Sequence, residues 1–208
     1  MRHPDYECVN VIRSAKVPLV KIVERSTGIN FDISFNKMDG INQIAEIQRA
    51  LDYYPEMKYL ILLIKSFLKQ RDLNETFQGG IGSFLLFCLV LAFLREVRNN
   101  YKDREREEEV DKILLSEFIL KFFDFYGNFD IQRDQILIAD GGGIVKKYVR
   151  DYGLSVLSPQ DSSHDIGKAV FRVREVFGIF KNRYHFMVNY NFKQGESVLK
   201  YLINSYHL

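Results

Sequence analysis

Lys65 and Lys69 stand four residues apart in a stretch whose apolar residues, Leu60, Leu63, Ile64, Phe67 and Leu68, recur with a helical period. That spacing sets both ammonium groups on one face, about 6 Å apart at Cβ, where they repel each other unless an anion lies nearby. Lysine stems lying over a core with their heads in water are the plain alternative. Further on, Gln78-Gly79-Gly80-Ile81-Gly82-Ser83 is a glycine-rich turn that runs into an apolar helix opening near Phe84. Free backbone N–H groups, a hydroxyl and the positive end of a helix dipole would meet there. Glycines ahead of a helix are weak evidence alone; with two lysines from the preceding helix they describe a triphosphate site.

A second polar turn, residues 158–168 (SPQDSSHDIGK), precedes a segment carrying Arg172 and Arg174. The ordinary reading makes Asp165 a helix N-cap and His164 a solvated loop residue. The functional reading has this loop touch a base edge, since His and Asp side chains offer directional donors and acceptors. Asp32 lies in 29–35 (INFDISF), where Ile29, Phe31, Ile33 and Phe35 alternate with polar residues. Period two puts the apolar residues on one face and turns Asp32 away from the core.

The elements that must hold these groups follow from the same patterns. Residues 17–23 and 29–35 read as a β-hairpin joined by the turn-forming 24–28. After Asn36 the period changes to about 3.6. Ile44, Ile47, Ala50 and Leu51 mark one amphipathic helix, the lysine-bearing stretch a second, and Ile113, Leu114, Glu117, Phe118 and Lys121 another, widened by Leu120, Phe122 and Phe123. Residues 101–112 form a mixed-charge run, read as a solvated loop and helix start. Residues 136–149, with the triplet Gly141-Gly142-Gly143, read as a small surface hairpin whose glycines are turn chemistry. A last helix is expected from about Gly167 to Phe180, with Val170, Val173, Val176 and Phe177 on one face.

The whole chain sets bounds on these readings. Its 208 residues are 47% apolar and 27% charged, which describes a globular protein of one large domain or one domain and part of another. Lys plus Arg number 29 against 27 Asp plus Glu, so no global field holds a polyanion and any such partner needs a local patch. Cys8 and Cys88 show no metal-ligand or CxxC spacing, which argues against a disulfide scaffold and a zinc site and suits a reducing compartment. The longest apolar run, 84–94, is about half a membrane span, and the first residues lack the apolar core of a secretory signal. The expectation is a soluble intracellular protein with no membrane partner.

Residues 17–36 (VPLVKIVERSTGINFDISFN), 54–97 (YPEMKYLILLIKSFLKQRDLNETFQGGIGSFLLFCLVLAFLREV) and 157–177 (LSPQDSSHDIGKAVFRVREVF) together resemble the template-independent nucleotidyltransferases of the DNA polymerase β superfamily. The resemblance is strongest to the noncanonical poly(A) polymerases of nuclear RNA surveillance, the TRAMP-complex type, and covers most of residues 14–181 in order. It implies an α+β fold, with residues 1–40 the C-terminal part of a polymerase β-type palm, a β-hairpin remnant, and 41–208 a mostly α-helical PAP-associated central domain. Asp32 matches the third metal-site carboxylate of the palm, which helps bind Mg²⁺ or Mn²⁺ and activate the RNA 3′ hydroxyl. Lys65 and Lys69 match lysines that contact nucleotide phosphates. Ser83 matches a serine that also holds phosphate, with Gly80 in the same turn. Phe84 stands where relatives often carry a tyrosine that stacks on the incoming base. The loop with His164 and Asp165 matches the nucleotide recognition motif.

What the resemblance implies is an RNA nucleotidyltransferase adding AMP from ATP to RNA 3′ ends, located in the nucleus, with the RNA 3′ end and a nucleoside triphosphate as partners. A zinc-knuckle RNA-binding protein would deliver the RNA. Terminal uridylyltransferases share the frame, and His164 leaves UTP open as substrate. One departure matters: the family's Gly-Ser turn and Asp-x-Asp strand do not occur among the 31 residues before Asp32, whose acids are Asp5, Glu7 and Glu24. Two-metal phosphoryl transfer needs several anionic ligands. The chain as given is therefore expected to lack transfer activity alone. A non-catalytic nucleotide-binding or scaffold paralogue is the rival from another class.

Overall fold

The computed structural model describes residues 4–13, 18–34, 39–102, 112–193, 195–197 and 199–203. The chain is α+β and forms two compact units, Met1–Glu46 and Ile47–Leu208. No helix among the described residues is long and apolar enough to cross a membrane.

The first unit is an antiparallel sheet of β1 (Tyr6–Ile12), β2 (Leu19–Glu24) and β3 (Asn30–Ser34), in that order. The β2–β3 hairpin is as expected. Gly28 takes φ +70, its N–H donates to Glu24 O at 2.8 Å, and Glu24 N–H donates to Ile29 O at 2.9 Å, which sets the register. Two expectations change. The hairpin is one part of a three-stranded sheet, because Tyr6–Ile12 pairs with β2 across an irregularity between Cys8 and Asn10. The apolar face of β3 is also uncovered: Phe31 and Ile33 are 42% and 38% exposed. Phe35 and residues 103–111 lie outside the described residues.

Helix α1 (Asp39–Tyr53) straddles the division. Ala50 is buried as its spacing predicts, but Ile44 is 66% exposed, so the expected stripe holds only at its C-terminal end.

The second unit is built on α2 (Met57–Lys69), α3 (Ser83–Lys102), α4 (Leu115–Gly127) and α5 (Val173–Asn189). Helix α3 is buried on every side from Leu85 to Leu94, as a continuous apolar run requires. Its neighbours supply aromatic rings: Phe67 of α2, Phe122, Phe123 and Tyr126 of α4, and Phe177 and Phe180 of α5. Phe67, Phe123 and Phe180 meet at centroid distances of 5.2, 5.2 and 6.1 Å, a range in which tilted rings attract. The Tyr126 hydroxyl donates to Leu89 O at 2.7 Å, and burial pushes its phenol pKa up.

The expected surface hairpin is present as β4 (Asp134–Leu137) and β5 (Ile144–Lys146). It is less superficial than expected. Ile136 and Ile138 are buried, and β6 (Val156–Leu157) joins β4 in parallel. Arg95 of α3 fastens the connecting turn through Ile138 O and Gly142 O. The last long helix also departs from expectation. Residues 167–169 make only a 3₁₀ turn, and α5 begins at Val173 and runs nine residues past Phe180, keeping Met187 buried; a short α6 (Leu199–Leu202) follows.

Candidate nucleotide site

Helix α2 buries Met57, Leu60, Ile64, Phe67 and Leu68, and that stripe leaves Lys58, Leu62, Lys65 and Lys69 exposed on the other side. No carboxylate among the described residues pairs with Lys65 or Lys69. The helix is closed by Leu73 N–H donating to Leu68 O at 3.0 Å and by Arg71 Nη1 donating to Phe67 O at 2.7 Å.

The turn that follows is dense with backbone bonds. After the 3₁₀ turn Thr76–Gln78, Gly79 N–H donates to Thr76 O, Gly80 N–H to Glu75 O and Ile81 N–H to Leu73 O, at 2.8 to 2.9 Å. Gly79 has φ +79, where a side chain is strained. Gly80 has no such torsion; it is required because a Cβ there would overlap the Leu73 carbonyl. The result aims the start of α3 outward. The first α3 bond is Leu86 N–H to Gly82 O at 2.9 Å, so the N–H groups of Ser83, Phe84 and Leu85 precede it beside the exposed Ser83 hydroxyl. Phe84 is half-buried, its ring stacked on Phe87 at 6.0 Å with 19° between planes.

The His164 loop is closed by Ser158 N–H to His164 O and His164 N–H to Asp161 O, both 2.9 Å. Asp165 does not cap α5, which opens behind Arg172 without a side-chain cap. Its Oδ1 instead accepts the backbone N–H groups of Val156 and Gly167, each at 2.9 Å, and so ties β6 to the turn after the loop. His164 is half-buried.

Arg172 joins the glycine turn to the start of α5. Its backbone N–H donates to Gly79 O at 3.1 Å and its Nη1 to Asp72 O at 3.1 Å, while the Phe171 ring occupies the space a Gly79 side chain would need. The glycine turn ahead of Ser83 and Phe84, the end of α2 with Lys69, and the segment at Phe171 and Arg172 that opens α5 are thus bonded together, while the His164 loop ends four residues before Arg172. Sequence reasoning noted Arg172 only as part of a basic segment; no local signal marks a residue whose bonds reach back a hundred positions.

Asp32 belongs to the other unit. It lies on β3 directly opposite Lys21 of β2, with Nζ 3.5 Å from Oδ2. Lys21 was missed, although the turn length gives the register. No group of three His, Cys, Asp or Glu that could hold a metal occurs among the described residues. One exposed carboxylate facing an ammonium group does not hold two dications.

Residues 1–48 match the family model described as "Poly(A) RNA polymerase, mitochondrial-like, central palm domain". The chain is 32% identical over 199 residues to poly(A) RNA polymerase CID14 of Cryptococcus neoformans, covering 92% of this chain and 26% of that protein. It is 30% identical over 203 residues to poly(A) RNA polymerase protein 2 of Saccharomyces cerevisiae, covering 92% of this chain and 34% of that protein. It therefore spans about a quarter to a third of the length of these relatives. Among solved structures, the polymerase core of TRAMP, an RNA surveillance complex, superposes with a TM-score of 0.76 at 28% identity, covering 94% of this chain and 65% of that one.

Proposed function

Because the chain belongs to the noncanonical poly(A) polymerase family, we propose that it is the nucleotide-binding part of an enzyme adding AMP from ATP to RNA 3′ ends in RNA surveillance. In this reading the first unit is part of the palm and the second a PAP-associated helical domain. Lys65 and Lys69 hold the triphosphate from α2, Ser83 and the α3 amides hold it from the other side, and Gly80 lets the turn close. Phe84 stacks on the base, and the loop at His164 reads it, with Asp165 holding that loop in shape. The observation that supports this is the Arg172 N–H bond to Gly79 O, which ties the segment following the His164 loop to the glycine turn.

Asp32 is the metal-site carboxylate of this reading, with Mg²⁺ or Mn²⁺ supplying charge neutralisation when bound. The described residues do not complete that site. These 208 residues alone bind ATP and do not extend RNA. A form of the protein carrying the family's paired carboxylates extends a primer, acts in the nucleus and takes RNA from a zinc-knuckle partner. The test supplies each nucleoside triphosphate in turn with an RNA primer. Longest tails with ATP support poly(A) synthesis, and longest tails with UTP make it a uridylyltransferase. The lysine facing Asp32 favours one rival, a nucleotide-binding scaffold; no extension by the longer form would establish it.

A further inference from the structure

Outside the nucleotide residues, the second unit has an open cavity lined by Arg71, Glu175, Ile179, Asn182, Arg183 and Phe186. Two guanidinium groups share it. Arg71 has two contacts, its Cζ 3.8 Å from the Phe67 ring centroid and its Nη1 bonded to Phe67 O. Arg183 lies 5.4 Å from the Phe186 ring centroid. Glu175, the carboxylate in the lining, has both oxygens bound by Arg172 at 2.7 Å, so it does not neutralise them. Burial, aided by the Arg183 charge, holds the Arg71 guanidinium below its usual pKa. A bound anion would reverse that penalty. Planar forks suit a tetrahedral oxyanion, the Asn182 amide can donate to it, and Ile179 and Phe186 offer an apolar wall for a sugar or base.

We propose that the cavity between Arg71 and Arg183 binds a phosphate group of the RNA strand, at a point separate from the nucleotide-binding residues. The identity of the strand rests on the proposed function; the phosphate chemistry does not. The nucleotide's own phosphates have their partners in Lys65, Lys69 and Ser83.

The test uses the 208-residue chain, a short fluorescent oligoadenylate and, separately, inorganic pyrophosphate. Arg71 closes α2, so the variants are Arg183→Glu and Arg183→Lys. Arg183→Glu should bind the oligonucleotide about 10-fold more weakly and lower the slope of log affinity against log salt by about 0.7 for each lost contact. Arg183→Lys should keep most of the slope, and both should bind ATP like the parent. Unchanged RNA affinity and slope in Arg183→Glu overturns the proposal, as does a parent chain that binds no RNA. Loss of pyrophosphate binding with RNA binding intact overturns the strand as the source. A parent that fails to bind ATP, while Arg183→Glu still weakens RNA binding, sinks the proposed function and supports this site.

Discussion

Lys21 and Asp32 face each other across the β2–β3 ladder, Nζ to Oδ2 3.5 Å, with side chains 42% and 54% exposed. Directly opposed charges on a sheet contribute about 0.2–1 kcal/mol, and water screens a pair this exposed toward the lower end. Asp32→Ala should therefore lower stability by no more than about 0.5 kcal/mol. A double-mutant cycle with Lys21→Met, followed by urea unfolding, should return a coupling below about 1 kcal/mol. Loss of folding in Asp32→Ala would make this carboxylate a structural residue and remove it from the catalytic reading.

Gly80 should tolerate no side chain. Its Cβ would meet the carbonyl of Leu73, which already accepts the Ile81 N–H, so neither strand of the turn can yield without losing a bond. Overpacking against backbone costs about 1–3 kcal/mol. Gly80→Ala should show that loss in chemical denaturation and should weaken ATP binding as the turn shifts. Gly143, where an added Cβ meets nothing within 4 Å, is the control: Gly143→Ala should leave both unchanged.

Asp165 separates shape from recognition. Removing its Oδ1 leaves the Val156 and Gly167 amides without their acceptor, at about 1–3 kcal/mol for groups deprived of a partner away from water. Asp165→Ala should lower Tm, whereas Asp165→Asn keeps an acceptor oxygen and should recover most of the loss. His164→Ala should alter the ranking of ATP against UTP in a binding assay. If Asp165→Asn instead changes base preference at full stability, the carboxylate itself reads the base.

The alternation of 29–35 and the helical stripe of α2 are local, so β3 and the lysine face were legible without coordinates. Strand β1 was not, because the irregularity between Cys8 and Asn10 breaks its period of two. Helix α5 was misplaced at both ends: residues 167–169 have apolar neighbours at helical spacing but make a 3₁₀ turn, whose first N–H, at Gly167, is taken by Asp165 Oδ1. The exposed Phe31 and Ile33 show the limit of pattern reasoning, since alternation reveals a face but not whether anything covers it. The glycine turn before α3 was legible as a turn, while the reason for Gly80, a carbonyl seven residues earlier, was tertiary.

Glu196 gives the end of the second unit an acid dependence. Hydrogen bonds from Lys200 Nζ and the Tyr201 hydroxyl, with the Lys193 N–H, pull its carboxyl pKa down to about 2. A depressed carboxylate stabilises the fold above its unfolded pKa, near 4.5, and that contribution is lost as pH falls from there toward 2. Helix α6 should therefore loosen in that window while α3 stays protected. Amide exchange at Leu202 against pH measures it, and Glu196→Gln should flatten the profile. A window unchanged by Glu196→Gln would assign the acid sensitivity elsewhere.

Under the proposed function, the effect of replacing Lys65 or Lys69 should depend on the ligand's phosphates. Lys65→Gln and Lys69→Gln keep the stems that lie along α2 and remove only charge, so Tm should shift little. Affinity for ATP should fall about 10-fold in each, close to the 1.4 kcal/mol expected for one charge-assisted phosphate contact. Affinity for adenosine should not change, and the parent's preference for ATP over adenosine should shrink as salt is raised. Equal losses for ATP and adenosine would mean that the substitutions distort the turn at Gly80 instead of removing phosphate partners.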